Sequence, residues 1–317
     1  MILEILIKIF PKDISKFYFD FRMKINIKND RKLLKTLLII SLIANNIDYI
    51  YFIYKKKHNF IKSKHEEDYL KIFIMAHKDF INYRYNSVYT IVVDNKTELR
   101  KKYNLNIIYA KEGKLYNMRR AYGEMSKIYF IYQLYNNGII SSKYIGTNHY
   151  RRYFNFTDNI PNLDEIFKNF DVILNKPSFI STTIRESFCH GHICEIYDEM
   201  LDIIKEIKPD YYKAALKISK SKKIYYCNIF IMKKKDFLKY CEFVFDILFE
   251  LDKRNNFTSD KDILEYTKKY FNGSSKYYQQ SRMQGFLAER ISNIFYYKNF
   301  KRIKTFRIGN YNSSYKK

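Results

Sequence analysis

The stretch KYIGTNHYRRYF, residues 143–154, joins a short strand pattern to a run of cationic side chains. Its first four residues read as a strand that ends at Gly146, where the missing side chain allows close backbone approach. His149, Arg151 and Arg152 follow at once. Open α/β sheets bind ligands at the carboxyl edge of their strands, and guanidinium groups hold phosphate oxygens through paired hydrogen bonds. The stretch therefore predicts an anion site at a sheet edge; the structural alternative is an arginine pair that bridges carboxylates beside a core histidine.

From Tyr69 onward, short apolar runs alternate with helically spaced segments, which is typical of an α/β sheet with flanking helices. Strands are predicted at residues 70–76, 88–93, 106–109, 143–146, 171–174 and 225–232. Helices are predicted at 118–136, 163–170, 195–207, 236–252 and 283–297. The third of these helices is expected to end before Pro209, and the basic tail from residue 301 is expected to lie on the surface. We expect one enzyme domain over residues 69–317.

Residues 1–68 are predicted to form a separate, basic and helical N-terminal extension. Its apolar stretch at 37–54 carries Asn45, Asn46 and Asp48 near the centre, and these groups make a bilayer span costly. Lysine-rich segments flank that stretch on both sides. Two interpretations stay open: an accessory helical pair packed on the enzyme, or a peripheral contact with an anionic membrane surface.

The high positive charge of the chain is weaker evidence for an anionic partner than its size suggests. The chain has 58 Lys and Arg against 33 Asp and Glu, a net charge of +25, which favours an anionic partner. Its abundance of Lys, Asn, Ile and Tyr is also what an AT-rich genome would produce, so part of the charge lies on solvated faces. The four cysteines (Cys189, Cys194, Cys227 and Cys241) form neither a CxxC pair nor a zinc spacing. We therefore expect no disulfide framework, no structural metal and a reducing, cytoplasmic location.

The segment IGTNHYRRYF resembles the HYRRYF signature of bacterial capsular and exopolysaccharide glycosyltransferases grouped as domain of unknown function 4422. Further similarities to that family follow in the same order along the chain. They are KIFIMAHK at residues 71–78, EMSKIYFIYQLYNN at 124–137, and the segments at 228–254 and 282–297. Together they cover nearly everything after residue 69.

This resemblance implies a GT-A-like, Rossmann-type sheet with flanking helices and an enzyme that moves a sugar from a nucleotide-diphosphate donor, with uridine favoured as the nucleoside. The implied acceptor is a surface polysaccharide or a lipid-linked glycan, reached from the inner face of the plasma membrane. The implied catalytic residues at the donor phosphates are His149, Arg151 and Arg152. The predicted nucleotide-sugar-binding residues are Ala76, His77, Lys78, Arg119, Arg120, Gly146 and Asn148.

The same resemblance leaves the metal requirement open. The HYRRYF segment occupies the place where many GT-A enzymes carry a metal-binding Asp-x-Asp, but Asn148 and His149 stand there instead of acids. The arginines that follow can supply the positive charge, so no metal ligand is assigned, and Mg²⁺ or Mn²⁺ is kept only as an alternative. The literal Asp-x-Asp at residues 260–262 is interpreted as a chance match.

The segment after Cys189 supplies candidates for the acceptor side of the reaction. His190 and His192 could hydrogen-bond sugar hydroxyls, with a metal site or simple ordering of the loop as alternatives. If the reaction inverts the anomeric configuration, which the sequence leaves open, Glu195 and Asp198 are the nearest candidates for a general base. The predicted acceptor-binding residues are His190, His192, Arg282 and Glu289; a salt-bridged helix is the alternative for the last of them.

A non-catalytic basic protein that binds nucleic acid or anionic glycan is the alternative from a different class. Adjacent tyrosine and arginine side chains, as in residues 150–153, can stack on bases. Against it, the basic residues are spread along the chain, and no helix-turn-helix, RNA-recognition or zinc signature is present. No specific nucleic-acid partner is therefore expected.

Overall fold

A mixed sheet of nine strands organises the computed structural model, which describes residues 69–77, 88–94, 106–154, 156, 160–271 and 277–310. The predicted extension at 1–68 and Lys78 lie outside these residues. The sheet strands are β1 (Leu70–Met75), β2 (Tyr89–Val93), β3 (Asn106–Tyr109), β4 (Tyr144–His149), β5 (Arg152–Phe154), β6 (Val172–Asn175), β9 (Phe230–Lys233), β10 (Ile303–Phe306) and β11 (Ile308–Asn310). Strands β7 (Ser178–Phe179) and β8 (Lys223–Ile224) form a small separate pair.

Ten α-helices are present in the described residues and cover both faces of the sheet. They are α1 (Arg119–Tyr122), α2 (Glu124–Asn136), α3 (Leu163–Asn169), α4 (Ile184–Cys189), α5 (Cys194–Ile207), α6 (Pro209–Ser219), α7 (Lys234–Arg254), α8 (Asp260–Tyr270), α9 (Tyr277–Gln280) and α10 (Met283–Asn299). The alternation of strands and helices confirms the predicted α/β fold class.

Successive strands are added first on one side of β1 and then on the other. The order is β10-β6-β9-β4-β1-β2-β3. Strands β3, β2, β1 and β4 run parallel, whereas β9 is antiparallel to both β4 and β6. The chain winds from β1 through β2 to β3 on one side, and β4 then returns to the other side of β1. The carboxyl ends of β1 and β4 therefore form a topological switch point.

Alternating side chains of the sheet enter two apolar layers. Phe73 and Met75 belong to the larger layer, which includes buried residues of α2, α5, α7 and α10. Ile72 and Ile74 belong to the smaller layer, which includes buried residues of α3. This period of two is what a strand covered on both faces produces.

Two predicted elements are interrupted, and the residues at the two breaks, Glu124 and Asn228, are hydrogen-bonded to each other. The helix predicted over 118–136 breaks at Gly123, whose φ of 56° favours glycine, so that α2 starts afresh at Glu124. The strand predicted over 225–232 is absent before Phe230, because Cys227 and Asn228 adopt φ values of 73° and 45°. Strand β4, by contrast, runs on to His149.

Other differences from the predicted elements have local causes. Pro209 does follow the end of a helix, but it also occupies the first turn of α6, where its missing N–H is not needed. The tail predicted to lie on the surface contributes β10, which pairs with β6 at the edge of the sheet. The polar stretch after Arg254 contains α8, which begins with a capping box formed by Ser259 and Asp262.

Gly285 is required where α10 crosses α1, and replacing it with alanine should lower stability. A Cβ atom there would lie 3.0 Å from the backbone oxygen of Tyr122. Alanine alone would favour the helix by about 1 kcal/mol, so a net loss of about 1–3 kcal/mol would report the steric conflict. We expect thermal unfolding to show a lower Tm for Gly285→Ala and an unchanged one for Gly191→Ala. At Gly191, the described residues beyond its chain neighbours place no heavy atom within 4 Å of an added Cβ. An equal or higher Tm for Gly285→Ala would contradict this account.

Candidate active site

The carboxyl ends of β1 and β4 lie side by side and bring two histidines together. His149 ends β4 in register with Met75, and His77 follows β1 by two residues. The Tyr150 hydroxyl lies 3.3 Å from Nε2 of His77, and the two rings meet edge to face with their centroids 4.7 Å apart. Ala76 is buried, and its N–H donates to the Val92 carbonyl. The predicted residues His77 and His149 thus lie together at the carboxyl ends of two neighbouring parallel strands.

His149 is held as a neutral imidazole. The backbone N–H of Arg151 donates to Nδ1 at 3.2 Å, so the ring proton resides on Nε2. Burial, reinforced by nearby positive charge, lowers the pKa of His149 to about 3. The charges that contribute are those of Arg151, His77, Arg152 and Arg282. At neutral pH the ring therefore offers an uncharged N–H donor.

Three exposed arginines lie around this switch point. Arg151 lies in the turn between β4 and β5, and Arg152 begins β5. Nη1 of Arg152 donates to the Cys227 thiol at 2.8 Å. Arg282 precedes α10, and a Cβ atom built on Gly123 would lie 3.3 Å from its Nη2. Arg282 was predicted from the sequence to bind the acceptor. In the structure its charge acts on His149, as do the charges of Arg151 and Arg152, which were predicted to bind the donor.

Two carboxylates from different helices meet beside the arginines. Glu124 is the first residue of α2, and Nδ2 of Asn228 donates to its Oε1 at 3.0 Å. Burial, together with the negative charge of Glu289, raises the pKa of Glu124 to about 7, although Asn228 and two arginines oppose the shift. Glu289 accepts hydrogen bonds from the Cys227 backbone N–H and from Arg290, both at 2.9 Å. Glu289 was predicted from the sequence; Glu124 was not.

Asn228 connects three elements of this arrangement, α2, α10 and β4. Besides donating to Glu124, its Oδ1 lies 2.9 Å from the Ser292 hydroxyl, and its carbonyl accepts from Thr147 of β4 at 2.5 Å. Asparagine tolerates the positive φ that this turn requires. Burial raises the pKa of the neighbouring Cys227 thiol to about 12, so that thiol stays protonated and is a poor nucleophile. We call the set His149, Arg151, Arg152, Glu124, Asn228, Arg282 and Glu289 the switch-point cluster.

The general-base candidates on α5 are not brought to this cluster. Asp198 accepts two hydrogen bonds from the guanidinium of Arg185, at 2.8 and 2.6 Å. Glu195 is exposed and accepts from the Tyr270 hydroxyl at 2.6 Å. Within the described residues, neither carboxylate contacts the switch-point cluster. On α5, Asp198 therefore pairs with Arg185, and Glu195 pairs with Tyr270.

Several predicted nucleotide-binding residues have partners within the protein. Arg119 and Arg120 stack on Tyr116 and Tyr278 with guanidinium–centroid distances of 4.3 and 3.2 Å. Gly146 lies inside β4, where a Cβ atom would meet side chains of both neighbouring strands at 3.0 and 3.1 Å. The structure thus corrects the reason for this glycine: strand packing, not ligand approach, requires it.

Asn148 is buried within β4, and its Oδ1 accepts from the Phe154 backbone N–H at 3.1 Å. It alternates with His149 along the strand, so the two side chains point to opposite faces of the sheet. Asn148 therefore stabilises the hairpin of β4 and β5, and its predicted contact with the nucleotide sugar stays a prediction.

The loop between α4 and α5 contradicts the expected absence of disulfides. Cys189 and Cys194 are bonded, which the cysteine spacing did not indicate. Between them, His190 is exposed, whereas His192 stacks on Phe286 of α10 with centroids 4.3 Å apart and hydrogen-bonds Gln280. Burial lowers the pKa of His192 to about 4. His192 therefore fastens the loop to α10 as a neutral ring.

The Asp-x-Asp at residues 260–262 is engaged in helix capping. Asp260 accepts from the backbone N–H groups of Arg120 and Ala121 at 3.1 and 2.8 Å. Asp262 accepts from the backbone of Thr258 and Ser259. In the described part of the chain, no three His, Cys, Asp or Glu side chains converge in a way that could hold a metal ion.

One solved structure with a TM-score above 0.5 agrees with the fold. The WbbM bifunctional glycosyltransferase, in its apo structure, is 19% identical with a TM-score of 0.58 over 76% of this chain and 45% of that one, so this chain spans less than half of its length. The mannosyltransferase Ktr4p of S. cerevisiae is 12% identical with a TM-score of 0.35, over 80% of this chain and 74% of that one. Its complex with GDP matches at 12% identity and a TM-score of 0.28, over 73% and 66%. The sheet and its flanking helices are GT-A-like.

No curated protein matches the chain by sequence. Among the described residues, no helix combines the length and apolar character that crossing a membrane requires. The family model described as a domain of unknown function, DUF4422, matches residues 71–300. Because that match covers most of the 317 residues, the chain belongs to the DUF4422 family.

Proposed function

We propose that this protein is a glycosyltransferase that moves a sugar from a nucleoside-diphosphate donor, with UDP favoured, onto a growing surface polysaccharide or a lipid-linked glycan. The observation that carries this proposal is the switch-point cluster. Three guanidiniums and a neutral imidazole surround a sheet edge that binds ligands in open α/β folds. A GT-A-like fold supports the same assignment.

The cluster has the chemistry that departure of a diphosphate requires. When the bond between the anomeric carbon and the phosphate oxygen breaks, negative charge develops on the diphosphate, and fixed cations aimed at it stabilise the transition state. Arg151 and Arg152 would hold the phosphate oxygens, with Arg282 beside them. His149 would donate its Nε2 proton as a hydrogen bond without adding charge.

The nucleoside and the acceptor would approach from different sides of the cluster. His77 and Tyr150, at the ends of β1 and β4, are suited to contact the base and ribose. The acceptor would lie toward the disulfide-bonded loop, because His192 joins that loop to α10 and Arg282 lies over the ring of Phe286 at 5.6 Å. Exposed His190 is then available to an acceptor hydroxyl.

The described residues do not fit a resident divalent metal. The position of the usual Asp-x-Asp holds Asn148 and His149, and Asn148 points away from the cluster. Both oxygens of Glu289 already accept hydrogen bonds from protein donors. We therefore route no step through a metal and assign the positive charge to the arginines. Contact of residues 1–68 with the inner, anionic face of the plasma membrane is part of the same proposal.

A thermal-shift panel of nucleotide sugars tests the proposal directly. Binding to the folded state stabilises it by about 2.7 kcal/mol when ligand is present at 100 times Kd, so one UDP- or GDP-sugar should raise Tm by several degrees. Random single- and double-stranded DNA should bind only in a steeply salt-dependent way. Absence of any shift at millimolar nucleotide sugar, with DNA binding that survives high salt, would reject the enzyme in favour of a nucleic-acid-binding protein.

A further inference from the structure

A carboxylate that the sequence does not single out lies beside the predicted phosphate site. Glu124 begins α2 because Gly123, at a φ of 56°, ends α1 and redirects the chain. A side chain at residue 123 would meet Arg282, so the break places the glutamate next to a guanidinium of the switch-point cluster. The charges of Arg282 and Arg152 both act on Glu124, which places the carboxylate within electrostatic reach of two of the three arginines.

One oxygen of Glu124 is fixed by the protein. Its Oε1 accepts from the side-chain amide of Asn228. The Oδ1 of Asn228 accepts from Ser292 and its backbone carbonyl accepts from Thr147, so the residue is held at both ends. For Oε2 of Glu124, the described residues provide no hydrogen-bond donor, and the side chain is only partly buried. The carboxylate is thus oriented through one oxygen, while the other can reach a bound substrate.

Glu289, the second carboxylate of the cluster, has a structural role. Glu289 uses Oε1 to accept from the backbone of Cys227 and Oε2 to accept from Arg290. Its oxygens are therefore occupied, and it holds the turn that contains Asn228. Its negative charge also disfavours ionisation of Glu124. Glu289 is a positioning residue, and Glu124 is left as the reactive carboxylate.

We propose that Glu124 accepts the proton of the attacking hydroxyl and that the reaction inverts the configuration at the anomeric carbon. This assignment rests on the proposed function. The acceptor oxygen forms a bond to the anomeric carbon as the carbon–phosphate oxygen bond breaks. The electron pair of that bond leaves with the nucleoside diphosphate beside the arginines, and the hydroxyl proton moves to Oε2 of Glu124.

The acid–base character of Glu124 favours proton transfer. Burial raises its pKa to about 7, near the pH at which a general base works best. Among the described residues, Oε2 of Glu124 is the one carboxylate oxygen of the cluster that no protein donor engages, so this group is placed to take a proton from an acceptor hydroxyl. The titratable or charged groups that face Glu124 are Glu289, Arg282, Arg152, Cys227, Tyr240 and Tyr296. Ionisation of Glu124 should therefore appear as a rise in rate as pH increases through about 7.

Glu124→Gln, with Glu265→Gln as the matched control, tests this proposal. Glu265 lies on α8, exposed and 3.8 Å from Lys261. The donor probes are UDP-glucose and UDP-galactose, with water and octyl glycosides as acceptors. Glu124→Gln should lower turnover by roughly 10²–10⁴-fold, while the donor Kd changes by about twofold or less and Glu265→Gln matches wild type. Early ¹H NMR spectra of the released sugar from these α-linked donors should show the β anomer.

Each contrary outcome is distinct. Wild-type turnover in Glu124→Gln, a wild-type pH–rate profile that stays flat through pH 7, or a first-formed α anomer would overturn the assignment while leaving donor binding intact. Failure of wild type to bind any nucleotide sugar would instead overturn the proposed function, and this assignment with it. Because the pH profile and the NMR measurement use wild type, they decide the matter even when Glu124→Gln does not fold.

Discussion

Replacing Arg152 with lysine should lower turnover at least tenfold, and replacing it with alanine should lower it by about 10²–10³, the range found when a transition-state donor is removed. Lysine keeps the charge but loses the planar fork that binds two oxygens at once. Arg152 also donates to the Cys227 thiol, which fixes the direction of its guanidinium. Because the lost interaction strengthens as the diphosphate departs, the effect should fall on kcat more than on KM.

Arg151→Lys is expected to behave in the same way, and Arg302→Lys supplies the control. Arg302 is an exposed arginine that pairs with Asp171 at 3.1 Å, outside the switch-point cluster. Its replacement should leave turnover unchanged. Steady-state kinetics with and without EDTA complete the test. If the Lys variants of both Arg151 and Arg152 turn over normally, these arginines have only a structural role. If EDTA abolishes activity and Mn²⁺ restores it, a metal and not arginine supplies the positive charge.

Asn228→Ala should destabilise the protein by about 2–4 kcal/mol, from the loss of two side-chain hydrogen bonds and the cost of a positive φ in alanine. The substitution removes the donor to Glu124 and the contact with Ser292, both in partly or fully buried surroundings. Urea unfolding should show a lower midpoint with an unchanged slope. Turnover should fall as well, because the orientation of Glu124 is lost.

Asn256→Ala separates the backbone cost from the side-chain contacts. Asn256 has a φ of 54°, close to the 45° of Asn228, but it is exposed after α7. Its replacement should cost about 1–2 kcal/mol, the backbone penalty alone. Equal destabilisation by the two substitutions would show that the hydrogen bonds of Asn228 contribute nothing to stability.

The sheet was predictable from sequence because its strands are largely apolar runs, such as residues 70–75 and 89–93, in which Lys71 and Thr90 are the polar exceptions. Such runs identify strands that are buried on both faces. The placement of Arg151 and Arg152 was predictable for a related reason: they come within three residues of the end of β4, and the carboxyl edge of a parallel sheet is where ligands bind. Strand order and register, however, decided that His77 lies beside this edge.

Glu124 escaped prediction because it lies within a segment of continuous helical spacing. Only Gly123 signalled the break, and a single glycine inside a helical pattern is usually tolerated. Asn228 was hidden in the same way, inside an apolar run that predicted a strand. Conversely, Glu195 and Asp198 followed the two histidines closely in sequence, but partners on other elements, Tyr270 and Arg185, determined their direction. Which carboxylates lie at the candidate site is therefore determined by tertiary contacts and cannot be derived from their spacing along the sequence.

The connections made by Asn228 have a consequence for how the protein folds. The bond to Glu124 joins residues 104 positions apart, and the bond between Cys227 and Glu289 joins residues 62 positions apart. Contacts between distant positions carry a large loop-closure entropy and form late. On the ribosome, α10 leaves the exit tunnel after every other part of the cluster. A nascent chain can therefore form the parallel strands early, but it completes the proposed nucleotide-sugar site only when α10 docks.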